Sequence, residues 1–454
     1  MRKRGTIIVV LCCIVLLMLI GICVLNTTRC DSSGAEVETQ TGRGIITDRN
    51  GVVLVANDTI SCPDSAGVVA VRIYPHPIAP HVIGRIEEAT QADVDYGYSD
   101  YVGEIIGKDG VEKFYDKMLK AVDGKSGKNL KLTIDYDLQK LGEELMNGKM
   151  GGAVAIEPST GEVLCMVSSP TYNPQLLSGA GARSNWQSLL NDSLKPLPNR
   201  CLMAAYAPGG VFAVAQSLVL MSEGFMSPQA QYTIENVRQG YLDMMSDAKY
   251  GTVQCAMEKW REYMVSFGFG HKLGIDLPHE RRGMIPDANY YDKAYKGRWT
   301  GMMTLGNAIG QGEICITLLQ LANFSATIAN WGHYYTPHVV KEIEGGTIDE
   351  KYKSVQSTMV SPEVYDAVIQ WMRQCVQNGS CKELSKLPIE SCGLSGTASV
   401  REHNNSVFIG FAPVDKPKIA VAVYIGNGGL DGQCAASVGG RLMEYYLQLL
   451  RSKL

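Results

Sequence analysis

The longest uninterrupted hydrophobic stretch of the chain stands near its start, where residues 7–25 carry no charge and almost no polar side chain. At 1.5 Å per residue, about 20 apolar residues in a helix cross a bilayer. Arg2, Lys3 and Arg4 precede the stretch, and basic residues favour the cytoplasmic side of a membrane. The pattern predicts a cytoplasmic tip at 1–6, one membrane anchor and an exported remainder. A cleaved signal peptide is the alternative, although its apolar core is usually only about 7–15 residues long.

Small and polar residues follow the anchor, and positions 26–42 are predicted to form a flexible stalk. Two β-branched runs then flank Asn50-Gly51, a pair that supplies the positive φ angles of a tight hairpin. Mixed polar and apolar positions continue to a helical stretch at 111–122. We therefore expect a small membrane-proximal domain at 43–130.

The remaining residues, 131–454, alternate between strand-like and helix-like patterns. Two apolar strands around 152–156 and 163–167 are joined by a turn that contains Pro158 and Gly161. Further helical and strand patterns follow, with helices at 211–223, 253–267, 317–331, 361–377 and 436–450 and strands at 406–412 and 419–425. Because strands stand at both ends with helices between them, the pattern indicates an α+β domain rather than an alternating βαβ chain.

The composition narrows the function. The 454 residues carry a formal net charge of −4, which is unsuited to general nucleic-acid binding because phosphate recognition needs clustered Lys and Arg. Thirteen cysteines are present, but the chain has no Cys-x-x-Cys pair, and its seven histidines form no His-Glu-x-x-His. We therefore expect neither a metal site nor a cofactor.

Several short motifs occur in the order found in one family. Residues 43–51 (Arg-Gly-Ile-Ile-Thr-Asp-Arg-Asn-Gly) resemble the opening of class B penicillin-binding proteins, the single-pass peptidoglycan transpeptidases of bacteria. Matching segments continue through the chain at 152–170, 198–209, 267–278, 308–320 and 408–413. The resemblance implies the penicillin-binding-protein transpeptidase fold, an antiparallel sheet flanked by helices, and acyl transfer from a D-alanyl-D-alanine stem peptide through a serine ester.

In this family the chemistry needs three clusters. A Ser-x-x-Lys pair supplies the nucleophile and its base, a Ser-x-Asn completes the proton relay, and a Lys-Thr/Ser-Gly strand binds the substrate carboxylate. At the first cluster this chain has Gly210 in the nucleophile position and Ala213 in the base position. Glycine has no side chain to acylate, and alanine cannot accept a proton.

The other two clusters are altered as well. The third is expected at Leu394, Ser395, Gly396 and Thr397, where leucine replaces the lysine. The second aligns with Ser246, Asp247 and Ala248, which lack the asparagine. An alternative alignment places it at residues 243–245, and that segment also lacks asparagine.

A relocated nucleophile is the competing interpretation. Ser217 follows Gly210 on the same predicted helix, and Cys201 is an intrinsically stronger nucleophile. Lys249 is a candidate for a displaced base. Ser217 lies among apolar residues, Cys201 has no evident base, and a lysine such as Lys249 is more often solvated, so we expect no functional catalytic residue.

Two functions follow from this. The first is a pseudo-transpeptidase at the bacterial cell membrane that acts by binding, either to a polytopic membrane glycan polymerase through the membrane-proximal domain or, non-covalently, to stem peptide. The second is an active transpeptidase or carboxypeptidase with rebuilt chemistry, which penicillin would label. A decaying copy without a selected role is a third interpretation, against which the regular core pattern argues.

Overall fold

The computed structural model describes residues 42–61, 68–122, 125–179, 181–400, 403–429 and 433–452. The described residues of 42–59 and from 70 onward belong to one compact unit. Among the helices of the described ranges, none combines the length and apolar character needed to cross a membrane. The predicted anchor at 7–25 lies outside those ranges.

The strands of the described residues are between two and ten residues long. They are β1 Ile46–Thr47, β2 Val53–Ser61, β3 Val68–Ile73, β4 Ile86–Glu88, β5 Ile105–Gly107, β6 Leu130–Leu132, β7 Met150–Ile156, β8 Val163–Ser169, β9 Ala205–Tyr206, β10 Ile316–Thr317, β11 His333–Tyr335, β12 Val340–Ile343, β13 Val355–Ser357, β14 Cys392–Val400, β15 His403–Ala412 and β16 Ile419–Gly426.

The α-helices fall mostly between the two halves of the main sheet. They are α1 Pro80–Ile83, α2 Gln91–Asp95, α3 Gly110–Phe114, α4 Asp116–Leu119, α5 Tyr136–Met146, α6 Ala182–Asn191, α7 Arg200–Met203, α8 Ala213–Ser222, α9 Ile234–Ser246, α10 Val253–Ser266, α11 Ala288–Tyr295, α12 Leu318–Ala329, α13 Pro362–Asn378 and α14 Gln433–Ser452. Two 3₁₀ helices, Gly209–Phe212 and Gly301–Ile309, lie near the candidate site.

The main sheet is antiparallel and has the strand order β14-β15-β16-β7-β8. Its two faces belong to different hydrophobic clusters, because successive side chains of a strand point to opposite faces. Along β16, Ala420 and Ala422 belong to the larger cluster, whereas Val421 and Val423 belong to the smaller one. Helix α12 packs on the strands β7 and β16, and α14 and α5 pack against the sheet as well. The predicted α+β class, with an antiparallel sheet flanked by helices, is confirmed.

A second five-stranded sheet, with the order β12-β6-β1-β2-β3, connects distant parts of the chain. The predicted hairpin at Asn50-Gly51 is present, and Gly51 has a φ of 93°. The Asp48 carboxylate accepts hydrogen bonds from the backbone N–H groups of Asn50 and Val52 at 2.8 and 2.7 Å, which fixes the turn. Arg49 then pairs with Glu162 at 3.0 Å, so the hairpin is bound to the β7–β8 turn.

Some local predictions differ from the structure. The helix expected at 111–122 is two short helices, α3 and α4, separated at Tyr115. The break places the Asp116 carboxylate where it accepts hydrogen bonds from Gly107 N at 2.8 Å and from Arg43 at 2.9 Å. Helices α6 and α9 were not predicted. The Thr233 side chain accepts a hydrogen bond from Asn236 N at the start of α9, an N-cap that the sequence contained.

Candidate active site

The first motif forms a tight turn that three separate segments share. Gly209 has a φ of 61°, and a Cβ atom there would lie 2.3 Å from the Thr397 carbonyl oxygen. Its N–H donates a 3.0 Å hydrogen bond to the Gly310 carbonyl. A Cβ atom on Gly310 would lie 2.5 Å from the Cβ of Phe212. Glycine is therefore required at 209 and 310, because side chains there would push the segments apart.

Gly210 is different, although it is the next residue. It is half-buried, and a Cβ atom there would meet nothing closer than the Gly396 Cα at 3.8 Å. That separation is an ordinary van der Waals contact. The backbone at Gly210 is not in the left-handed region, so a serine side chain would fit at this position. The fold therefore does not impose glycine at the nucleophile position.

The base position contributes only to the core. Ala213 is the first residue of α8, and its side chain is completely buried. One turn further on, the Ser217 hydroxyl donates a 2.8 Å hydrogen bond to the Ala213 carbonyl. Ser217 is also completely buried. Its hydroxyl bonds back to its own helix, and this weighs against Ser217 as a relocated nucleophile.

The third motif lies on β14, at one edge of the main sheet, and this strand packs against the turn of the first motif. A Cβ atom on Gly396 would lie 2.9 Å from the Val211 nitrogen, so glycine permits the close approach of strand and turn. Leu394 is 6% exposed and belongs to the larger hydrophobic cluster. The Ser395 hydroxyl donates to the Ser380 carbonyl at 3.3 Å, and Thr397 is half-buried. This strand keeps hydroxyl groups but presents no lysine.

The second motif is exposed at the end of α9. The Ser246 hydroxyl donates a 2.6 Å hydrogen bond to the Leu242 carbonyl, within its own helix. The Asp247 carboxylate accepts from Lys249 N at 2.7 Å and caps the next short turn, and Ala248 is exposed. Ser246 and Asp247 are therefore engaged locally.

The alternative alignment offers no relay either. Asp243 is exposed and accepts a 2.7 Å hydrogen bond from Gln239. Met244 and Met245 are buried in the larger hydrophobic cluster. Neither alignment supplies the asparagine of the family motif.

The other two candidates for a relocated catalytic group, Cys201 and Lys249, are also engaged in contacts with neighbouring residues. The Cys201 thiol is completely buried against the paired strands β7 and β8 and lies 3.1 Å from the Val167 carbonyl. Burial raises the pKa of this thiol far above its usual value, which opposes formation of the nucleophilic thiolate. Lys249 donates to the Glu223 carbonyl at 2.8 Å and pairs with the Glu223 carboxylate at 3.1 Å. These contacts weigh against Cys201 as a nucleophile and Lys249 as a base.

A buried polar cluster near the first motif was missed from the sequence. The Gln216 side chain accepts a 2.8 Å hydrogen bond from the Trp260 indole. Asn307 donates to the Tyr291 hydroxyl at 2.9 Å, and Tyr291 donates to Glu313 at 2.8 Å. These residues are far apart in sequence, so no local pattern marked them. They fix the helices around the motif turn rather than supplying a reacting group.

Comparison with known families extends over most of the chain. The penicillin-binding protein transpeptidase domain matches residues 151–258 and 245–444, and the penicillin-binding protein dimerisation domain matches residues 65–132. The peptidoglycan D,D-transpeptidase MrdA of Acinetobacter baumannii is 29% identical over 451 residues, covering 84% of this chain and 66% of the relative. The chain thus spans about two thirds of that relative's length.

The chain is also similar to solved structures of penicillin-binding proteins. PBP2 of Pseudomonas aeruginosa, in complex with WCK 5153, is 30% identical and superposes with a TM-score of 0.76 over 90% of this chain and 96% of that one. A chain of a peptidoglycan synthase complex that coordinates polymerization and crosslinking is 22% identical, with a TM-score of 0.74 over 97% and 98% of the two chains, and this likeness shows the fold. With its motifs in the family's order and the first and third packed together, the chain belongs to the class B penicillin-binding proteins.

Proposed function

We propose that this chain is a pseudo-transpeptidase of peptidoglycan synthesis, anchored in the bacterial cell membrane through residues 7–25, that binds partners and does not cross-link glycan strands. The main observation behind this proposal is the pair of residues at the nucleophile and base positions of the first motif. Gly210 has room for a serine side chain but has none, and the base position is a buried alanine. The family scaffold is retained while the reacting groups are missing.

The magnitude of the loss supports this proposal. Removal of one member of a serine catalytic unit typically lowers kcat by about 10⁴–10⁶. Here the nucleophile, its base and the carboxylate-binding lysine are all replaced, at Gly210, Ala213 and Leu394. The buried contacts of Ser217 and Cys201 oppose the competing proposal of an active enzyme with a relocated nucleophile.

The test is exposure of the full chain, purified in detergent, to a fluorescent penicillin, followed by intact mass measurement. We expect no adduct, while an active relative with its serine intact is labelled under the same conditions. A stoichiometric adduct would overturn the proposal, and peptide mapping would name the nucleophile. Cys201→Ala would then show whether that thiol is the labelled group.

We further propose that the region 43–130 carries the partner contact. Seven large hydrophobic side chains there are at least 41% exposed: Tyr96, Tyr98, Tyr101, Val102, Phe114, Met118 and Val122. Four of them, Tyr98, Phe114, Met118 and Val122, line a cavity of about 930 Å³. Large exposed apolar patches commonly mark protein interfaces.

The partner we propose is a polytopic membrane glycan polymerase, and the likeness to a chain of a peptidoglycan synthase complex supports this choice. Tyr101→Ser with Phe114→Ser should reduce co-purification with that polymerase from membranes several-fold. Val355→Ser with Met359→Ser is the matched control, because both side chains are exposed elsewhere on the chain. Unchanged co-purification of the first variant would contradict this interface.

A further inference from the structure

A second cavity, of about 580 Å³, lies between α10, α11 and the loop that precedes α11. Its charged lining residues are Arg261 on α10, Arg282 in the loop, Lys293 on α11 and one carboxylate, Asp287. The cavity therefore has two more positive than negative charges. This local excess contrasts with the net charge of −4 for the whole chain.

The three cations are unpaired among the residues that the structure describes. Within the described ranges, no ion pair or side-chain hydrogen bond involves the charged groups of Arg261, Arg282 or Lys293. Asp287 offsets one of the three positive charges, and its carboxylate also caps α11 by accepting a 2.7 Å hydrogen bond from Tyr290 N. The lining of the cavity thus keeps an excess of two positive charges.

One donor atom of these groups is buried as well as unpaired, although Arg261 as a whole is half-buried. The Nε atom of Arg261 is inaccessible to solvent and has no acceptor. Buried donors are nearly always hydrogen-bonded, since an unmade bond leaves the cost of desolvation uncompensated. The orphan donor belongs to a residue that lines the cavity, and this favours a ligand that carries hydrogen-bond acceptors.

The backbone segments that carry Arg261 and Arg282 are fixed by packing and by hydrogen bonds. Arg261 follows Trp260 on α10, whose indole is completely buried. The Arg282 carbonyl accepts a 2.9 Å hydrogen bond from Gln320, and two residues later the Met284 carbonyl accepts a 3.0 Å bond from Cys315 N. Fixed backbone lowers the entropy cost of binding, because less of the site must be ordered by the ligand.

We propose that this cavity binds a phosphate group, either a small phosphate ester or a phosphate carried by a polymer. A phosphate monoester carries about −1.5 to −2 charges at pH 7, which matches the excess of two cations. Guanidinium groups present paired N–H donors that fit phosphate oxygens. The inference is independent of the proposed pseudo-transpeptidase function, because the cavity contains none of the three motif positions.

The test is isothermal titration calorimetry of the full chain in detergent, with inorganic pyrophosphate and, separately, with long-chain polyphosphate. The measurement is made at about 0.15 M salt, because the Debye length is then about 8 Å and long-range attraction is screened. We expect one pyrophosphate site per chain, with affinity reduced at least about tenfold by Arg261→Gln or Arg282→Gln. Binding of polyphosphate alone, lost in the same variants, would identify a polymer as the source.

Two further variants separate a built site from general attraction. Arg261→Lys keeps the charge but removes the guanidinium, so it should weaken binding if the orphan Nε donor contacts the ligand. The control is Arg238→Gln with Lys259→Gln, which removes two cations outside the cavity. The proposal is overturned if neither ligand binds, or if the control weakens binding as much as the cavity variants do.

Discussion

The Tyr115 hydroxyl donates a 2.9 Å hydrogen bond to the Asp276 carboxylate, which is completely buried. Asp276 also accepts from the backbone N–H groups of Val339 and Val340, at 2.7 and 2.9 Å. Burial raises the pKa of Asp276, and these three donors oppose that shift. One carboxylate thus joins the region that matches the dimerisation domain, a loop of the transpeptidase domain and the segment that leads into β12.

Removal of this hydroxyl should destabilise the protein. We expect Tyr115→Phe to lower the free energy of unfolding by about 1–3 kcal/mol, because a buried charged acceptor loses a donor. Urea denaturation measures the change. Tyr290→Phe is the control. That side chain is exposed, so the loss of its hydroxyl should change the free energy of unfolding by less than about 0.5 kcal/mol. Equal effects of the two variants would contradict the role of the Tyr115 bond.

The two neighbouring glycines of the first motif should differ in how strongly substitution destabilises the protein. Gly209→Ala should lower the free energy of unfolding by about 2–4 kcal/mol, because its φ of 61° and the Thr397 carbonyl at 2.3 Å both exclude a Cβ atom. Gly210→Ser should change it by less than about 1 kcal/mol, because its Cβ has room. Denaturation of both variants in parallel tests the packing, and a Gly210→Ser variant that fails to fold would contradict it.

His81 should make stability depend on pH. Its pKa is lowered from 6.5 to about 4, chiefly by burial and in smaller part by the charge of Arg200, while the hydrogen bond with the Pro196 carbonyl opposes the shift. The unfolded chain therefore binds a proton between about pH 6.5 and 4 that the folded chain does not. The resulting stabilisation is complete above pH 6.5 and is lost as pH falls, by at most about 3 kcal/mol.

His81→Gln tests this assignment. Glutamine has a donor that can replace the 2.7 Å contact of the histidine Nε2 with the Pro196 carbonyl, but it does not titrate. The difference in unfolding free energy between native chain and variant should shrink or reverse as pH falls from 6.5 to 4. A difference that is constant over this range would show that His81 does not titrate as expected.

The cysteines should differ sharply in reactivity. Cys201 is completely buried with a raised pKa, whereas Cys255 on α10 is exposed. Iodoacetamide on the folded chain should therefore alkylate Cys255 and leave Cys201 unmodified, as peptide mass mapping would show. Both should react in denaturant. Labelling of Cys201 in the folded chain would reopen its role as a nucleophile.

Local patterns predicted the elements that local interactions determine. The hairpin at Asn50-Gly51 and the strands β7 and β8 were predicted from turn residues and apolar runs, and all are present. The helix expected at 111–122 failed because Asp116 is bound by Arg43, a partner that lies 73 residues away. Helix α9 was missed although Thr233 caps its start and the buried Val237, Tyr241 and Met244 recur at helical spacing.

The sequence by itself determined which reacting groups the site lacks, because the side-chain chemistry of Gly210, Ala213 and Leu394 does not depend on the fold. Only the tertiary structure decided that Gly209 is sterically required and Gly210 is not, since that depends on where β14 packs. It also decided the surroundings of Ser217 and Cys201, whose hydrogen-bond partners and burial arise from packing between distant segments. The chemistry of a side chain is fixed by its residue type alone, whereas the space around it and its exposure to solvent depend on tertiary contacts.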